Sequence, residues 1–161
     1  MAAPPAASAA GGVKKLAIFP ALYGGRFGRR LEKSHEKRTG LVKKLVGNRL
    51  SGKVEIVREF ASTRGTGPET DVAILKNSWG SGSPKVPNEA FIHNFAKSLG
   101  LDLVLIFKIT MPERGQGQYK IYMLDIANSR TYTRGGDWAR KVGPGIRKAL
   151  KGLFKDYQRG R

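Results

Sequence analysis

Between Leu101 and Met111 the chain reads Leu-Asp-Leu-Val-Leu-Ile-Phe-Lys-Ile-Thr-Met, and nothing else in its 161 residues limits the possible folds so sharply. The run is far short of the roughly 20 apolar residues of a membrane-spanning helix. It is apolar at consecutive positions, so a strand built from it has no polar face and must be covered on both sides. The segment before it has helical spacing, with Phe91, Ile92, Phe95 and Leu99 on one stripe, Pro87-Asn-Glu-Ala at its start and Gly100 at its end. A helix leading into a doubly covered strand predicts an α/β fold with Leu101–Met111 at the centre of the sheet.

The remaining elements fall into place around that strand. Lys14-Lys-Leu-Ala-Ile-Phe-Pro20 is a short apolar run closed by proline, a first strand, and residues 21–28 read as a loop. Residues 29–50 fit a helix with Leu31, Leu41, Val42, Leu45, Val46 and Leu50 on one half. The other half carries Arg29, Arg30, Lys33, Lys37, Lys43 and Lys44. Gly40 and Gly47 weaken it by about 1 kcal/mol each relative to alanine, which makes Thr39-Gly40 the place for a break.

Lys53–Phe60 reads as a second strand, and residues 61–87 are loop-rich with a short helix over Pro68–Trp79 carrying Val72, Leu75 and Trp79. Gln118–Ile126 and Arg130–Arg134 are strands joined by a turn at Ala127-Asn-Ser129. A closing helix from Pro144 places Ile146, Ala149, Leu150, Leu153, Phe154 and Tyr157 on one stripe. The order is β-α-β-(α)-α-β-β-β-α, a single mixed sheet of about five strands with helices packed on it.

Domain organisation follows from length and composition. Residues 1–12 are small and uncharged, a flexible Ala/Pro/Gly tether, residues 13–158 form one α/β domain, and residues 159–161 are a basic tail. The tether lacks the positive and apolar regions of a signal peptide, and the chain contains no candidate transmembrane segment. A tether of this kind before a first strand is also what a leader leaves behind, so the envelope stays open beside the cytoplasm. With no cysteine and two histidines, disulfides and clustered soft-ligand metal sites are excluded as expectations, and no cofactor is expected.

Charge is the second strong signal. The net charge of +18 is spread as +9 over residues 13–50, +2 over 51–138 and +7 over 139–161. Two cationic segments flank a nearly neutral centre, an arrangement suited to a polyanion: an acidic protein, an anionic envelope surface or nucleic acid. The candidate contact residues are Arg26, Arg29, Arg30, Lys33, Lys37 and Lys44 in the first segment, and Arg147, Lys148, Lys151 and Lys155 in the last. If both terminal helices cover the same sheet face, their basic sides merge into one patch.

Other constellations have simpler readings. Tyr23-Gly-Gly-Arg-Phe-Gly-Arg-Arg30 permits close backbone approach to an anion, but lacks the Gly-Lys-Ser/Thr ending of a nucleotide-hydrolysing loop. His35 falls with Leu31 and Val46 and reads as a partly buried structural histidine. His93 falls on a polar side, and Ser34 beside His35 points away from it, so no triad is assembled. Asp125 and Asp137 lie near turns, where carboxylates cap backbone donors. Trp79 and Trp138 stand beside glycines as aromatic anchors for a partner or as packing residues. No catalytic residues are assigned.

"LAIFPA", "VEIVREF", "AKSLGLDLVLIFKI" and "YKIYMLDIANSRTYT", in that order and closed by an amphipathic helix, resemble the domain shared by the TolB amino-terminal region, CsgG and LpoB. The resemblance spans residues 13–157. It implies an α/β domain of the bacterial envelope, periplasmic or outer-membrane-associated, that binds other proteins and catalyses nothing. A nucleic-acid-binding module contacting phosphates through the basic helices and the Gly/Arg loop is the alternative.

Overall fold

The computed structural model describes residues 12–25, 30–31, 33–60, 69–80, 85–113, 116–138 and 141–160. Most of the tether, Arg26, Arg29 and much of the glycine-rich 61–87 stretch lie outside the described residues.

The protein is an α/β domain built on one mixed sheet. Its strands are β1 (Lys14–Ile18), β2 (Leu22–Gly24), β3 (Val54–Glu59), β4 (Leu103–Glu113), β5 (Gln116–Asp125) and β6 (Arg130–Trp138). Its helices are α1 (His35–Arg49), α2 (Glu69–Ser78), α3 (Glu89–Ser98) and α4 (Gly143–Arg159). The strand order is β3-β1-β4-β5-β6, with β1 parallel to β3 and β4, and β4, β5 and β6 an antiparallel meander.

The doubly apolar run is the central strand, as its composition requires. Leu103, Leu105, Phe107 and Ile109 point into a core shared with α1 and α4, while Val104 and Ile106 point into a second core under α2 and α3. All six stripe residues of α4, from Ile146 to Tyr157, are buried in the first core. Each large apolar side chain so buried contributes about 1.5–3 kcal/mol.

Several local readings are corrected. The segment read as a loop after Pro20 contains β2, whose Leu22, Tyr23 and Gly24 pair with Lys108, Ile109 and Thr110 of β4. Proline carries no N–H and breaks the ladder, so the strand resumes beyond it with the register to β4 shifted by one residue. The helix read over residues 29–50 is interrupted: Arg30 and Leu31 are helical, Lys33 and Ser34 form a turn, and α1 starts at His35. It then runs unbroken through Gly40 and Gly47.

In α3 the buried positions are Ile92 and Ala96, and the Asn88 side chain caps the helix by accepting from the Phe91 N–H at 3.3 Å. Leu99 is 39% exposed rather than buried, because the helix ends at Ser98 and Gly100 takes φ +70°. Leu101 fills the core in its place. The β5–β6 hairpin closes over Ile126–Ser129, where Asp125 Oδ1 accepts from the Asn128 N–H and Ser129 adopts φ +52°.

Candidate anion-binding face

Helices α1 and α4 lie on the same face of the sheet, because their apolar stripes share the first core. They also run side by side in the same direction. Ser34, Lys37, Arg38 and Leu41 at the start of α1 face Lys141, Val142 and Ile146 at the start of α4 across a groove of about 320 Å³. At the far end, the Gln158 amide donates to the Arg49 carbonyl at 3.5 Å.

That pairing fixes which basic residues meet. On α1, Lys37 and Leu41 look into the groove, and helical spacing puts Lys44 and Asn48 on the same flank. On α4, Arg147 and Lys151 share the flank from which Gln158 reaches α1. By helical spacing Lys37 and Lys44 on α1 and Arg147 and Lys151 on α4 therefore flank the seam between the two helices, while Lys148 and Lys155 are exposed. Arg30 and Lys33, both exposed, precede α1 at the groove end. Each helix carries five basic residues and one acid. Asp156 is held by Arg134 of β6 in a two-pronged contact at 2.9 Å, which keeps its carboxyl below the usual range. Lys43, on the other flank of α1, pairs with Glu59 of β3 at 2.5 Å.

Three groups at the α1 start form a contact that sequence spacing does not reveal. The Tyr23 hydroxyl lies 2.6 Å from His35 Nδ1, and the Arg38 guanidinium sits 5.2 Å from the Tyr23 ring centre. Arg38 is buried and donates to the Leu31 carbonyl at 2.5 Å. Burial first, and the Arg38 charge second, push the His35 imidazole from 6.5 down to about 4, against a smaller opposing pull from Glu59. His35 is thus a neutral, half-buried hydrogen-bonding group near pH 7.

The aromatic candidates separate. Trp79 is 6% exposed, packs edge-on against Tyr122 and donates to the Pro20 carbonyl at 3.4 Å, so it is a core residue and not a surface anchor. Trp138 is partly exposed at the end of β6, its ring lying across Gly117. Its Nε1 is buried with no hydrogen-bond partner among the described residues. Asp125 has the turn-capping use expected of it, binding the Asn128 backbone and amide. Asp137 is exposed on β6. Among the described residues no helix is long and apolar enough to cross a membrane.

No protein-family model matches the chain, and no curated protein matches it. Solved structures do resemble it in outline. The LpoB C-terminal domain from Salmonella enterica is 11% identical over 84% of this chain and 91% of that one, with a TM-score of 0.42. A PelC L103M dodecamer from Paraburkholderia phytofirmans is 12% identical over 88% and 85%, with a TM-score of 0.41. A second PelC dodecamer from the same organism is 13% identical over 88% and 85%, with a TM-score of 0.39. One of the three proteins named from the sequence, LpoB, is therefore among the structures found, at a similarity that assigns no function.

Proposed function

We propose that this chain is a non-enzymatic binding module of the bacterial envelope, whose two-helix basic face engages an acidic protein or another anionic envelope component. The observation that carries the reading is the parallel seating of α1 and α4 on one sheet face, and helical spacing sets Lys37, Lys44, Arg147 and Lys151 along the seam between them. A dense field of one sign attracts an oppositely charged surface and speeds its encounter. The envelope part of the reading rests on the sequence resemblance over residues 13–157. We assign His35, hydrogen-bonded to Tyr23, a structural and not a catalytic role.

The test is co-sedimentation with anionic vesicles and with an acidic polypeptide, beside anisotropy of labelled single- and double-stranded oligonucleotides, at about 50 and 200 mM salt. A variant carrying Lys37→Glu, Lys44→Glu, Arg147→Glu and Lys151→Glu is compared with the wild type. The expected result is salt-sensitive binding to the acidic targets, indifferent to strand type, that falls at least about tenfold in the variant. Tight oligonucleotide binding that persists at the higher salt and prefers one strand type makes this a nucleic-acid module instead. Undiminished binding by the variant removes the helix face from the account.

A further inference from the structure

Among the described residues, the sheet face that carries α2 and α3 is not covered to its end. Past the Ile106–Tyr122 pair, strand register sets two rows of side chains across β4, β5 and β6: Lys108, Lys120 and Gly135, then Thr110, Gln118 and Asp137. With Lys85 and Tyr122 at the margin they line an open cleft of about 440 Å³, a size suited to a small ligand.

The lysine row carries an electrostatic cost. Lys108 and Lys120 are directly opposed on antiparallel neighbours, where like charges repel across the ladder. Burial and the Lys120 charge push the Lys108 ammonium below its usual range, and it donates to the Lys85 carbonyl at 2.7 Å, a neutral acceptor. The third position of the row is glycine. A Cβ there would lie 2.7 Å from the Tyr119 carbonyl oxygen and 3.3 Å from Lys120 Cγ, so the absent side chain keeps the space beside Lys120 open. Asp137 stands in the adjoining row, opposite Gln118, rather than in the lysine row.

We propose that this cleft binds a phosphate monoester of a small polar molecule, with the phosphate between Lys108 and Lys120 and the organic part along Thr110, Gln118 and Asp137. A monoester carries close to two negative charges near pH 7, which matches a pair of ammonium groups. Charge-assisted hydrogen bonds from both lysines to one phosphate offset the repulsion between the paired ammonium groups. The hydroxyl, amide and carboxylate of the second row suit hydroxyl or amine groups on the ligand. The site lies on the opposite face of the sheet from α1 and α4, so it stands independently of the basic helix face.

The experiment is an amide NMR titration with glycerol 3-phosphate, inorganic phosphate, and dimethyl phosphate, which presents the singly charged diester found in lipid headgroups. Saturable shifts are expected at Lys120, Gly135 and Gly136, strongest with glycerol 3-phosphate and about tenfold weaker with dimethyl phosphate. Lys120→Gln is expected to weaken binding by about tenfold or more while leaving Tm unchanged or raised, because it also removes the repulsion. Lys97→Gln, on exposed α3 surface, removes the same charge elsewhere and leaves affinity within about twofold. Shifts centred on α1 and α4, unchanged binding by Lys120→Gln, or equal affinity for dimethyl phosphate each overturn the proposal.

Discussion

Lowering the pH from about 7 to about 5 isolates the contribution of burying the neutral His35 imidazole beside Arg38. The His35 imidazole is held at about 4 in the folded chain against 6.5 in the unfolded one. The folded-state value is the lower, so the unfolded chain takes up the proton first. The stabilisation is therefore complete above about pH 6.5 and is lost as the pH falls toward 4. Between pH 7 and 5 the linkage relation gives a loss of about 2 kcal/mol for a shift of this size, reduced to about 1 kcal/mol by the ring's partial exposure. In a domain of this length that corresponds to about 2–4 °C in Tm. His35→Gln retains a polar side chain at the same position but does not titrate, so its Tm falls by that much less over the same interval. Carboxylate titration is common to both proteins and cancels in the comparison. Thermal melts by circular dichroism at the two pH values supply the numbers, and an NMR titration of the His35 ring proton in a His93→Asn background gives the midpoint directly. Equal losses in the two proteins, or a midpoint near 6.5, would refute the reasoning.

Two further predictions concern glycines. Gly40 and Gly47 lie inside α1, and a Cβ at either meets nothing within 4 Å, so Gly40→Ala and Gly47→Ala should each stabilise the protein by about 0.5–1 kcal/mol, read as a rise in the denaturation midpoint at constant m. Gly117 is different: a Cβ there overlaps the Trp138 indole, so Gly117→Ala should cost about 1–3 kcal/mol and shift tryptophan emission to the red as the ring is displaced.

Much of the architecture was legible because it rests on periodicity. The 101–111 run and the α4 stripe needed only the rule that apolar surface is covered, and both lie where that rule puts them. Strand β2 escaped because three residues between a proline and a glycine turn carry no pattern of their own, and their pairing is imposed by the length of β4. Leu99 was misplaced because a helical stripe does not say where the helix stops. The candidate site divides the same way. Which residues are basic was plain, but that α1 and α4 run parallel on one face depends on tertiary packing. The opposition of Lys108 and Lys120, twelve residues apart in the chain, depends on a strand register no local rule states. Arg38 was hidden by its charge, since a buried arginine satisfied by a carbonyl looks like any other surface cation in sequence.

The first core has a consequence for the order in which the chain acquires structure. It joins Leu16 and Ile18 from the beginning of the domain to Leu150, Leu153, Phe154 and Tyr157 from its end. As the polypeptide leaves the ribosome, β1, α1 and β3 emerge well before α4, the helix that completes the cover of their shared apolar side. Contacts so distant in sequence are slow to form, and the exposed surface stays open to chaperones until then. The first core of this domain is therefore closed only when residues 143–159 dock.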